Sequence, residues 1–124
     1  MWQATQEIIT MFDFDIFSRQ VIKAFRNGNH NGKNMKFSLV VCKYYFKTYR
    51  KHTGREHPPL KQEHIERILD ALHYHDDLLD GLNSGDYAKM IDKHFKTEYD
   101  GGDYNILHFL SGDIRIHRFY EGLY

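Results

Sequence analysis

Cysteine and proline are scarce in this chain. The single cysteine, Cys42, excludes an intramolecular disulfide and leaves any thiol-bound zinc site in need of three other ligands. A lone thiol also points to a reducing, cytoplasmic setting. The only prolines are adjacent, Pro58 and Pro59, so helix-breaking chemistry is confined to one place. No apolar run approaches the roughly 18 residues a membrane span requires. The first residues, Met1-Trp2-Gln3-Ala4-Thr5-Gln6-Glu7, have no basic segment leading into an apolar one. Neither membrane insertion nor secretion is therefore expected. Missing too are G-x-S-x-G, a phosphate loop, a dinucleotide fingerprint and H-E-x-x-H, and no cofactor or metal is expected. Net charge is the last absence: 17 basic and 17 acidic residues cancel.

That cancellation hides a split by position. Between Ser18 and Gln62 there are eleven Lys or Arg against one acid, Glu56, a local net of +10. From Glu63 to Asp113 there are twelve acids against four cations, a net of −8. Such asymmetry is a signature of binding to a polyanion or to an oppositely charged partner.

A chain of 124 residues is long enough for one domain spanning 1–124. Its nine Phe, nine Tyr and one Trp predict a core of few, bulky rings. Apolar residues at Ile8, Ile9, Phe12, Phe17, Val21, Ala24 and Phe25 follow helical spacing, with an interruption near Asp13 to Asp15. The run Asn27-Gly28-Asn29-His30-Asn31-Gly32-Lys33-Asn34 reads as a loop. Residues 35–52 form the most informative segment. On a helical wheel Lys36, Lys43, Lys47, Arg50 and Lys51 share an arc about 100° wide, and apolar or aromatic residues fill most of the remainder. A helix of that kind is central, with one basic edge in solvent. Gly54 ends it, Pro58 and Pro59 are expected to open the next helix, and Ile65, Ile68, Leu69 and Leu72 give that helix an apolar face from about 60 to 74.

The acidic half repeats a small unit: Ser84-Gly85-Asp86, Gly101-Gly102-Asp103 and Ser111-Gly112-Asp113. Each reads as punctuation between short helices, with glycine closing one and aspartate capping the next. Tyr87, Ile91, Phe95 and Tyr99 line one helix, and Ile106, Leu107 and Leu110 fit another. After Gly112 the pattern suits a short strand as well as a helix. The expected fold is all-α, a single compact domain of five to seven helices around the aromatic-rich central one.

Three functions compete on these residues. The first is recognition of a nucleic acid or nucleoprotein by Lys36, Lys43, Lys47, Arg50, Lys51 and Arg55, with Tyr44 or Tyr49 offering stacking faces. Against it stand a pI near 7.1 and the plain alternative of a solvated face whose charges meet the acidic half of the same molecule. A helix-turn-helix is excluded by the long, proline-containing connection after the central helix. The second is a protein-binding inhibitor or adaptor that presents Asp76, Asp77 and Asp80 as a phosphate mimic. Salt-sensitive self-association, basic face to acidic face, is a variant of it. The third is a hydrolase using His and Asp. His73 and His75 cannot share an ion on a helix, where they lie about 200° apart, so His94, His108 and His117 would have to be brought in by the fold.

Two stretches, Gly54-Arg55-Glu56-His57-Pro58-Pro59-Leu60 and Asp103-Tyr104-Asn105-Ile106-Leu107-His108-Phe109 with Ser111-Gly112-Asp113-Ile114-Arg115 beyond, resemble small uncharacterised proteins encoded on mobile elements of Gram-positive gut bacteria. The resemblance covers roughly residues 35–120 and brings no activity or site residues with it. It implies only a habitat, in which small proteins commonly act by binding, including as inhibitors that occupy host defence nucleases.

Overall fold

The computed structural model describes residues 12–27, 35–72, 84–98 and 104–111. All regular structure there is helical: α1 (Phe14–Arg26), α2 (Met35–Thr53), α3 (Gln62–Ala71), α4 (Ser84–Phe95) and α5 (Ile106–Phe109). An all-α domain with the long aromatic helix α2 at its centre follows directly. The segment after Gly112, where strand and helix both fitted the pattern, lies outside the described residues.

Asp13 decides where α1 begins. Its extended backbone and its Oδ1, which accepts from the amides of Asp15 (2.7 Å) and Ile16 (3.3 Å), make it the N-cap, so the interruption expected near Asp13 is a helix start. Phe17, Val21 and Ala24 then bury one face. Helix α2 buries Phe37, Val41, Cys42, Tyr45, Phe46 and Tyr49, which sit on three sides of it. Its end is set by Gly54, whose φ of 73° is the left-handed conformation that glycine adopts without a Cβ penalty. The Gly54 amide donates to the Arg50 carbonyl at 2.8 Å.

The prolines do not open α3, as their position suggested. Residues 56–61 run without regular structure, and α3 starts at Gln62. The reason lies in where the backbone carbonyls go: Pro58 O bonds the His57 ring at 2.8 Å, and Leu60 O accepts from Gln20 Nε2 at 2.8 Å. Gln62 Nε2 returns a bond to the Gln20 carbonyl at 3.0 Å, so α1 and the start of α3 are joined reciprocally. The Ser84-Gly85-Asp86 unit also reads differently in three dimensions. All three residues lie within the first turn of α4, with Asp86 placed favourably at the positive end of the dipole. Asn105, not Asp103, caps α5, its Oδ1 accepting from Leu107 N at 2.9 Å.

Packing follows the order expected of a central helix. Helix α4 lies along one side of α2 and α1 along another, while α3 packs on α1 and receives α5. One continuous core results. Its interior is ring on ring: Phe12, Phe17 and Phe46 at one end, with Tyr45, Phe95, Tyr104 and Phe109 at the other. No described helix is long and apolar enough to cross a membrane.

Candidate functional site

The uncommitted edge of α2 is the exposed one. Lys36, Lys43, Lys47, Arg50 and Lys51 are all exposed, and Arg55 extends them past the helix end. Helix α2 contains no Asp or Glu. From Lys36 to Lys51 the stripe runs about 22 Å at the helical rise. Val40, 46% exposed, lies within it, and Met35 stands at its N-terminal end.

Opposite charges do reach the stripe, but from unexpected directions. Among the described residues the one ion pair it makes is Arg50 Nε to Glu56 Oε1 at 3.4 Å, with the Arg50 side chain 72% exposed. Such a pair contributes little, roughly 0–1 kcal/mol, and exchanges readily for another anion. Asp13 and Asp15 face the stripe across a groove of about 740 Å³ between the start of α1 and α2. Among the described residues these acids belong to the N-terminal block and the linker, not to the acidic half.

That groove is layered. Phe12, Phe14 and Phe46 form its floor, with Phe12 and Phe46 ring centroids 4.3 Å apart and Phe14 stacked on Phe17 at 5.7 Å. Lys43, Lys47 and Arg50 reach the groove from α2, Asp13 and Asp15 from the start of α1, and Glu56 from the linker beside Arg50. The Lys43 ammonium sits 5.9 Å from the centre of the Phe14 ring, within cation–π range. Phe12 and Phe14 are half-buried, leaving ring surface to the groove. Sequence reasoning placed the aromatic component of the site elsewhere. Tyr49 is 5% exposed and belongs to the core, and Tyr44 donates its hydroxyl to Asp92 Oδ1 at 2.6 Å. That bond, then burial and the adjacent negative charge, holds the Tyr44 hydroxyl above its usual titration range. Phe12 and Phe14 join the stripe only through the packing of α1 on α2; the one local signal was Asp13, whose capping fixes Phe14 at the first helical position.

A second, smaller hollow of about 380 Å³ lies on the other flank of the stripe, between α2 and the end of α4. Lys51, His52 and Lys96 meet Asp92 there, over the edge of Phe95. Here an acid of the C-terminal half approaches the basic edge.

The histidines are packed among rings. His94 is fully buried and His108 lies beside it, ring centroids 5.5 Å apart, with Phe109 and Tyr104 around them. His57, unremarked in the sequence, is 1% exposed and holds two backbone groups: Nε2 accepts from the Ile106 amide at 3.0 Å, so Nδ1 carries the proton that goes to Pro58 O. Among the described residues no three His, Cys, Asp or Glu are placed to hold a metal ion. His73, His75, His117, Asp76, Asp77 and Asp80 lie outside the described residues, and with them the acidic partner surface. Cys42 is fully buried, which pushes its thiol far above the ordinary range and makes it a packing group, not a nucleophile. No protein-family model matches the chain, and neither the curated proteins nor the solved structures include one significantly similar to it.

Proposed function

We propose that this protein binds the phosphate backbone of a nucleic acid, free or within a nucleoprotein, through the exposed edge of α2. The observation that supports the reading is the geometry of Lys36, Lys43, Lys47, Arg50 and Lys51: five exposed cations spaced along one helix edge, with one weak ion pair among them. Regular cation spacing along an extended surface is what neutralising successive phosphates requires. Composition favours this over a protein partner. Four of the five are lysines, and lysine is depleted in protein–protein interfaces while serving well as a point charge for phosphate. Neutrality of the whole chain is no obstacle, because screening beyond about 8 Å leaves the local field of the stripe dominant at physiological salt.

The test is the charge-reversed triple variant Lys43→Glu, Lys47→Glu, Arg50→Glu, assayed by fluorescence polarisation on a labelled oligonucleotide across a salt series. Each cation that meets a phosphate contributes roughly 0.7–0.9 to the slope of log K against log salt. Loss of binding in the variant, with an unchanged helical circular dichroism spectrum, is the expected result. Equal affinity and equal salt slope in the two proteins would remove the proposal.

A further inference from the structure

We infer that the groove beside the stripe receives an unstacked nucleobase, so that the ligand is a single strand rather than a duplex. The inference rests on the binding reading above and specifies its substrate. Three features of the groove carry it. The first is size: about 740 Å³ lies within the range of small-ligand clefts, roughly 300–1,000 Å³, and suits one nucleotide. The second is its floor. Phe14 is half-buried, is backed by Phe17 in a near-parallel stack (14°), and has the ammonium of the exposed Lys43 5.9 Å from its centre. A ring so supported is a stacking platform that a base occupies by displacing an ammonium, which then moves to the phosphate.

The third feature is the opposition of the walls. Lys43, Lys47 and Arg50 on α2 attract a phosphate chain, whereas Asp13 and Asp15 at the start of α1 repel one. A duplex laid over the groove would set its second strand against those carboxylates. A single strand does not have this difficulty, because it presents phosphates to one wall and base edges to the other. Carboxylates accept hydrogen bonds from the exocyclic amino groups of bases, cytosine N4 above all. Asp13 Oδ1 is already engaged by the Asp15 and Ile16 amides, so Oδ2 of Asp13 and the exposed Asp15 carboxylate are the acceptors that face the ligand. Arg50 leaves Glu56 for the phosphate at little cost, since their pair is exposed.

The experiment compares labelled single-stranded and duplex DNA of equal length at one salt concentration, then oligo-dC against oligo-dT, on the wild-type chain and on Phe14→Leu, Phe14→Tyr and Asp15→Asn. Expected are at least tenfold tighter binding of single strand than duplex, preference for oligo-dC over oligo-dT, a loss of about tenfold in Phe14→Leu consistent with one lost stack, and recovery in Phe14→Tyr. Asp15→Asn, which exchanges a charged acceptor for a weaker neutral one, should reduce the dC preference and should not weaken oligo-dT binding. If Phe14→Leu does not fold, Asp15→Asn and the base preference decide alone, since Asp15 is exposed. Equal binding of duplex and single strand, or no response to Asp15→Asn, would overturn the inference while leaving backbone binding in place. Failure of every oligonucleotide to bind would instead remove the functional reading beneath it.

Discussion

Replacing His57 by Phe isolates the contribution of two hydrogen bonds at nearly constant volume. The imidazole is 1% exposed and surrounded by Phe46, Tyr49 and Phe12 at centroid distances of 5.0, 4.9 and 5.9 Å, which a phenyl ring can also satisfy. The polar groups left behind cannot be satisfied in this way. The Ile106 amide, at the start of α5, loses its acceptor inside the protein, and a buried donor without a partner costs about 1–3 kcal/mol. The Pro58 carbonyl loses a donor but is less enclosed, adding at most about 1 kcal/mol. Together these give about 1–4 kcal/mol. With a urea slope of about 1.5 kcal/mol/M, the midpoint of unfolding falls by about 0.7–2.7 M, followed by circular dichroism. Amide exchange supplies the local readout: protection at Ile106 should drop more than protection in the middle of α2. A midpoint within about 0.3 M of the wild type, with Ile106 still protected, would show that the histidine acts by shape alone.

Cys42→Ala reports on alkaline stability. The folded chain keeps a proton that the unfolded chain releases above its ordinary thiol range near pH 8.5, so this contribution is complete below that pH and falls by about 1.4 kcal/mol per unit above it. Stability curves for wild type and Cys42→Ala should therefore converge between pH 9 and 11, by urea unfolding, and parallel curves would contradict the burial argument. At the end of α2, Gly54→Ala should cost about 1–2 kcal/mol. Nothing lies within 4 Å of the added Cβ, so the cost is backbone strain alone, and Gly54→Asn should restore part of it. An unchanged melting temperature in Gly54→Ala would mean that the turn rearranges freely.

What the sequence made legible was whatever depends on residues near one another along the chain. The helix at 35–52 is observed as Met35–Thr53 because charge and ring positions on one wheel determine which edge meets solvent, and Gly54 determines where it stops. The core of α3 at Ile65, Ile68 and Leu69 is likewise a matter of spacing. Misplaced features turn on distant partners. Pro58 and Pro59 sit ahead of α3 because the carbonyls around them are taken by His57 and by Gln20, whose bond to Leu60 spans 40 positions. Tyr49 points inward because α4 and the His57 linker pack on that side of α2, and no property of tyrosine foretells this. The candidate site shows the same division. Its cations were visible in one helix, whereas its aromatic floor and its acids arrive on α1 and the linker. Charge asymmetry between the two halves showed which helix carries the basic edge, while the described acids nearest to it come from α1 and the linker.

The reciprocal amide bonds between Gln20 and the start of α3 have a consequence for the groove. Gln20 lies six residues beyond Phe14, about 9 Å along α1, and both bonds end on main-chain carbonyls, those of Leu60 and of Gln20 itself. The depth at which α1 is seated along the domain is thus gauged away from the groove, by the side-chain amides of Gln20 and Gln62. Substitutions at Asp15, Lys43 or Lys47 change what the groove offers without touching those bonds, whereas Asp13 also caps α1. If the groove binds as proposed, preference among ligands and placement of the helices are separately adjustable, and selectivity can drift under mutation while the scaffold stays fixed.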